Sequence, residues 1–124
     1  MKEFKKRYLL NATPKDVYNA ITNPLMIEIW TGEPVVMSTE PGSEFEIWDA
    51  AITGQNLEFI EDKLIVQKWF FGEEVDSIVT IKLHADRKGT LVELHQTNIP
   101  DEAFDNMVDG WDQDYFGNIR QLYE

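Results

Sequence analysis

From Phe104 onward the large apolar residues fall at Phe104, Met107, Val108, Trp111, Tyr115, Ile119 and Leu122. Steps of three and four place them along one stripe of an α-helix. Pro100 closes the extended run before it, and Asp101 stands where an N-cap carboxylate would accept orphan backbone N–H groups. Glu102 and Asp105 in the first turn and Arg120 in the last both complement the helix dipole. A helix from Asp101 to Tyr123 would be roughly 34 Å long. The 124 residues are expected to form one domain, 1–124, and in a domain of that size everything else must pack along this helix. Gly110 and Gly117 interrupt the stripe at a spacing that puts them nearly on one face. They mark either a close approach or kink of the backbone, or room for a ligand beside Trp111 and Tyr115.

Upstream, Phe4–Leu10 reads as a short strand. Thr13-Pro14 then opens a helix, with Thr13 as N-cap and Val17, Ala20 and Ile21 as its apolar face. Asn23-Pro24 stops it and starts a second short helix to Trp30. From Glu33 the pattern changes to strands, over Val35–Ser38, Glu44–Trp48, Ala51–Ile60, Lys63–Phe71, Asp76–Ala85 and Thr90–Ile99. Turn chemistry separates them at Glu40-Pro41-Gly42-Ser43, Asp49-Ala50, Glu61-Asp62, Gly72-Glu73-Glu74 and Asp86-Arg87-Lys88-Gly89. In the last hairpin, a tip at Arg87-Lys88 sets Leu83 against Val92, Ile81 against Leu94 and Val79 against Gln96. Lys82 then pairs with Glu93 and Thr80 with His95 on the opposite face. The expected fold class is α+β, with two layers: an antiparallel meander covered by the long C-terminal helix.

Composition removes several functions. The net charge of −12, from 23 acidic and 11 basic residues, opposes binding to phosphate backbones and anionic lipid. The partners excluded are therefore nucleic acid and membrane. With no cysteine, thiolate metal sites, disulfides and cysteine nucleophiles are absent. The apolar run after the basic Lys2–Arg7 segment is too short for a signal core, so a cytoplasmic location is expected. His84 and His95 point away from the core in the register above, which leaves no metal site. No serine sits in a nucleophile elbow and no glycine-rich phosphate cradle occurs, so neither a catalytic residue nor a cofactor is expected. The acidic residues of the C-terminal helix, Asp105, Asp109, Asp112 and Asp114, read as a solvated face.

The order of motifs carries a resemblance. Ala12-Thr13-Pro14-Lys15-Asp16-Val17-Tyr18 through Asn23-Pro24 is followed by Trp30, Pro41-Gly42-Ser43-Glu44-Phe45, Trp48-Asp49 and Gly54. Then come Leu64 to Trp69, Ser77 to Thr80, Gly89-Thr90, Leu94 to Pro100 and Gly110-Trp111. Over nearly its whole length the chain resembles the family of homologue-1-like activators of the ninety-kilodalton heat-shock-protein ATPase. That family lies within the START-like (SRPBCC) superfamily. The resemblance implies the helix-grip fold, a curved sheet wrapped around the C-terminal helix, often with an apolar cavity between. It also implies that the chain corresponds to the C-terminal type of domain of the eukaryotic co-chaperone. Two positions depart from the pattern: Gln96 stands where relatives often carry histidine, and Ser43 replaces the second glycine of a Pro-Gly-Gly turn.

Trp69 and Trp111 are expected to face inward, either as core filler or as walls of an apolar pocket. In the pocket reading they join Tyr115, Gln96 and Glu58, with Gly54 making space in a central strand. Three functions follow. One is non-enzymatic binding of a small apolar molecule. Another is a stress-related co-chaperone role toward the heat-shock-protein ATPase. The third, a cyclase- or hydrolase-like activity, is disfavoured by the lack of an acid–base pair.

Overall fold

In the computed structural model, described over residues 1–72 and 75–124, one six-stranded antiparallel sheet runs in the order β1-β6-β5-β4-β3-β2. The strands are β1 (Lys2–Leu10), β2 (Glu44–Ile47), β3 (Ile52–Ile60), β4 (Leu64–Phe70), β5 (Asp76–Asp86) and β6 (Gly89–Ile99). Two helices, α1 (Pro14–Thr22) and α2 (Pro24–Thr31), lie between β1 and β2. Thr13 caps α1 by accepting from the Asp16 N–H, and Pro14 occupies its first turn. Asn23 ends α1 and caps α2 through Leu25 N–H, and Gly32 closes α2 in the left-handed conformation (φ 74°).

The last hairpin has the register its alternation predicts: Leu83↔Val92, Ile81↔Leu94, Val79↔Gln96, Lys82↔Glu93 and Thr80↔His95. Ile81 and Leu94 are buried and Lys82 is exposed. The Glu93 carboxylate sits nearer to Arg7 (3.3 Å) and His84 (3.2 Å) than to its cross-strand lysine. β1 completes the sheet on the far side of β6, and Tyr8 and Leu10 point into the core. The helical layer covers the inner face, and the core includes Val17, Ile21, Ile27, Phe45, Ile65, Trp69, Ile81, Leu94, Trp111, Tyr115 and Phe116. This is the helix-grip arrangement. No helix among the described residues is long and apolar enough to cross a membrane.

The structure corrects the Val35–Ser38 strand and the uniform C-terminal helix of the sequence reading, and leaves one turn partly outside the described residues. Val35–Ser38 is not a strand: it makes a single bridge, Val36↔Glu46, beyond which the chain turns away. The Gly72-Glu73-Glu74 turn lies partly outside the described residues, although Gly72 itself has φ 114°. The C-terminal segment is not one uniform α-helix. It opens with a 3₁₀ turn at Asp101–Ala103 and continues as α3 (Phe104–Asp109). A π-helical turn follows at Gly110–Tyr115, and α4 (Phe116–Leu122) ends the segment. Asp101 is the first residue of the 3₁₀ turn and Pro100 holds the cap position, while the Asp101 carboxylate meets the Met1 amino group at 3.2 Å.

Candidate functional site

In an α-helix each N–H bonds four residues back; at the π turn the Phe116 N–H instead reaches the Trp111 carbonyl, five back. The extra residue rotates the following turn, so that Tyr115 and Phe116, although adjacent, are both buried. Gly117 allows this geometry. A Cβ there would lie 2.7 Å from the Asp112 carbonyl oxygen, the π turn's own backbone. Gly110, by contrast, has open space where its Cβ would be. Only Gly110 therefore leaves room beside Trp111.

That room belongs to a cleft of about 270 Å³, open on one side, between the C-terminal segment and one end of the sheet. Trp111, Tyr115, Gly110 and Asp114 of the π turn form one wall, and Asn106 and Met107 of α3 extend it. Trp69 near the end of β4 forms the floor, and Trp48, Ala51 and Ile52 close the opposite side. Trp48, Asp49 and Ala50 all have left-handed backbones (φ 54°, 52° and 66°), which turns the chain sharply enough to bring Trp48 over the cleft. The rings form a continuous cluster. Trp69 stacks on Trp111 at 4.8 Å, Trp111 packs on Tyr115 at 4.6 Å, and Trp48 meets Tyr115 at 6.2 Å. Trp30 of α2 backs Tyr115 at 4.9 Å and anchors its own indole N–H on the Ala20 carbonyl at 2.8 Å.

Two buried polar relays fix the floor and wall. Trp111 Nε1 donates to Gln96 Oε1 (2.7 Å), Gln96 Nε2 donates to Ser77 Oγ (3.0 Å), and Ser77 donates to the Thr97 carbonyl (2.6 Å). Trp69 Nε1 donates to Gln67 Oε1 (3.0 Å), Gln67 Nε2 to Asn56 Oδ1 (2.9 Å), and Asn56 Nδ2 to Ser43 Oγ (3.1 Å). Ser43, the departure from the Pro-Gly-Gly pattern, thus receives the second relay and passes it on to the Glu40 carbonyl (2.6 Å). A third contact pins the π turn to β1: Asp112 Oδ1 accepts from Tyr8 Oη (2.7 Å) and from Lys6 Nζ (2.8 Å). Partial burial pushes the Asp112 carboxyl up, and the hydrogen bonds from Lys6 and Tyr8 outweigh it, leaving the group below its usual range. Burial and the same carboxylate push the Tyr8 phenol up. Burial alone raises Tyr115, whose hydroxyl stays protonated.

Of the residues singled out for a pocket, the structure brings Trp69, Trp111 and Tyr115 together at the cleft. Gln96 faces inward but lies behind Trp111, fully occupied by the first relay. Gly54 opens no space, since a Cβ there would sit 2.0 Å from the Lys68 carbonyl oxygen and 2.7 Å from the Phe45 ring that fills the position. Glu58 is exposed, because the ladder between β3 and β4 shifts between Asn56 and Glu58 and reverses the inward alternation. Sequence reasoning missed Trp48, Met107, Asn106 and Asp114. Met107, Gly110 and Asp114 recur at steps of three and four beside the Trp111 stripe, and that spacing was the available signal. Among the described residues no three or more His, Asp or Glu side chains are grouped to hold a metal ion. His84 and His95 instead meet Glu93 (3.2 Å) and Glu3 (2.7 Å) on the outer face.

Comparison with known proteins places this architecture. A family model described as Activator of Hsp90 ATPase homolog 1-like protein matches residues 11–124. The chain is 28% identical over 126 residues to the Activator of 90 kDa heat shock protein ATPase homolog of Dictyostelium discoideum, covering 98% of this chain and 33% of that protein. It is 25% identical over 114 residues to the Activator of 90 kDa heat shock protein ATPase homolog 1 of Homo sapiens, covering 90% of this chain and 34% of that protein. The crystal structure of an HSP90 activator from Plasmodium falciparum superposes with a TM-score of 0.85 at 24% identity, over 98% of this chain and 94% of that one. The chain belongs to the Activator of Hsp90 ATPase homolog 1-like family.

Proposed function

We propose that this protein binds a small, flat apolar molecule in the aromatic cleft and performs no chemistry on it. The observation that carries this reading is the cleft itself, about 270 Å³ walled by Trp48, Trp69, Trp111 and Tyr115 and held open at Gly110. A site of that size suits a single ring with a short substituent, since drug-sized ligands occupy roughly 300–1,000 Å³. The floor is pre-formed, as both buried indoles are already hydrogen-bonded and need no ligand to satisfy them. The titratable groups lining the cleft are Asp114 and Tyr115. With the Tyr115 phenol held protonated by burial, they make a poor acid–base pair near neutral pH.

The test uses 2-phenylethanol and similar small aromatics, followed through the indole N–H resonances of Trp48 and Trp111. The parent protein is expected to show saturable shifts. Gly110→Leu, which fills the cleft from a helical position where a Cβ meets nothing within 4 Å, is expected to fold and to lose them. Equal shifts in both proteins, or none in the parent with any member of the series, would end this reading.

A second reading rests on the names of the relatives, which are activators of the heat-shock-protein ATPase. The chain spans 33–34% of their length, so a chaperone partner is a separate proposal for this domain. Adding the purified protein to the chaperone is expected to raise its rate of ATP hydrolysis. An unchanged rate across a saturating titration would count against it.

A further inference from the structure

Tyr115 is 2% exposed, and its hydroxyl makes no hydrogen bond to a protein group among the described residues. Yet no enclosed side-chain polar atom among those residues lacks a partner. The Tyr115 hydroxyl therefore opens onto accessible space, and the space that Tyr115 lines is the cleft. A phenol in that position has one proton to give and lone pairs to receive, and it awaits a polar group from outside.

The electrostatics of the rim state which polar group fits. Asp114 lines the cleft, and no lysine, arginine or histidine does. The ion pairs of the described residues engage Asp101, Asp112, Asp76, Glu3 and Glu93, and leave Asp49, Asp105, Asp109 and Asp114 uncompensated. Asp105 and Asp109 lie on the same helical segment as the wall, and Asp49 follows Trp48 at the opposite lip. Arg120 is the first basic residue of the C-terminal segment, and it reaches the Leu9 carbonyl instead. A concave apolar site rimmed by one sign of charge focuses the field and concentrates ions of the other sign.

We propose that the cleft selects small aromatic amines in their cationic form, with the ring against Trp48 and Met107 and the ammonium at the rim between Asp114 and the Tyr115 hydroxyl. The ammonium donates to both, so the carboxylate is neutralised and the buried phenol gains its partner. The stacked rings contribute fit more than charge selection. Trp111 engages Trp69 and Phe116 in stacked contacts, so its faces are already covered and little cation–π attraction remains for a ligand.

This rests on the binding reading above, and the experiment separates the two. Three phenylethyl probes differing in their terminal group, 2-phenylethylamine, 2-phenylethanol and 3-phenylpropionate, are titrated into the full chain at low salt. The amine is expected to bind about tenfold more tightly than the alcohol, and the acid more weakly than both, as Coulomb attraction to an unscreened carboxylate requires. Raising the salt to about 0.5 M is expected to shrink the amine's advantage, since exposed charges are then screened within a few ångströms. Asp114→Asn should weaken the amine far more than the alcohol and so bring the two affinities together, and Tyr115→Phe should weaken amine and alcohol alike. Equal affinity for all three probes, or tightest binding of the acid, overturns the selectivity and leaves the cleft a neutral binding site. Binding of none of them overturns both readings.

Discussion

Gln96 accepts the indole N–H of Trp111 and donates to Ser77, so three elements, β5, β6 and the π turn, are tied through one buried amide. Replacing Gln96 with leucine conserves volume but strands an indole donor and removes a hydroxyl's partner. The expected loss is about 1–3 kcal/mol, read from a urea titration. Trp111→Ala should cost more, about 3–5 kcal/mol, because a fully buried bicyclic ring is removed from a packed stack. A loss below roughly 1 kcal/mol would mean the ring is not part of the core. The inward placement of Trp69, Trp111 and Gln96 was legible in the sequence from alternation and from the helical stripe. Their partners were not, because Gln67, Asn56 and Ser77 carry no local mark that separates a buried polar residue from an exposed one. Glu58 was misread for a related reason: an irregularity in strand pairing is set by the partner strand, and one strand's sequence does not show it.

At the scale of elements, the two glycines of the C-terminal segment make opposite predictions. Helix propensity alone says that alanine at either position stabilises by about 0.5–1 kcal/mol. Gly110→Ala should follow that rule, because its Cβ meets open space in a helical backbone. Gly117→Ala should reverse it, because its Cβ would press on the Asp112 carbonyl and force the π turn to relax. Two denaturant titrations decide the matter, and a stabilised Gly117→Ala protein would mean the π turn adjusts without strain. The apolar stripe in the sequence located this segment but omitted Phe116, which is fully buried against Tyr8 at 4.5 Å. The stripe steps from Tyr115 to Ile119 and passes over Phe116, so the wide turn showed in the sequence only as a bulky pair, Tyr115-Phe116. Val35–Ser38 failed in the other direction. It has β-branched residues, but it makes one bridge to the edge strand β2 and does not continue the ladder along it.

Across the whole molecule, the antiparallel meander and the register of its last hairpin followed from alternation and turn chemistry, whereas the place of β1 beside β6, a pairing across the length of the chain, did not; the burial of two phenols adds a global consequence at high pH. Tyr8 and Tyr115 both have values raised above the ordinary 10.0, so the fold favours their protonated forms. Their contribution to stability is intact below pH 10 and declines as the pH rises above it toward the folded values, because the unfolded chain ionises first. Urea midpoints should therefore fall between about pH 10 and 11.5, with a shallower fall in Tyr115→Phe. An identical slope in that variant would show that the phenol is not shielded. The strand order also bears on how the chain is made. β1 pairs only with β6, from Lys2↔Ile99 to Leu10↔Thr90. A ribosome adding about 5–20 residues per second must finish nearly the whole sheet before the first strand meets its partner. During that interval β1 waits as an unpaired ribbon, and its charged run, Lys2 to Arg7, is the part least prone to stick to a neighbouring nascent chain.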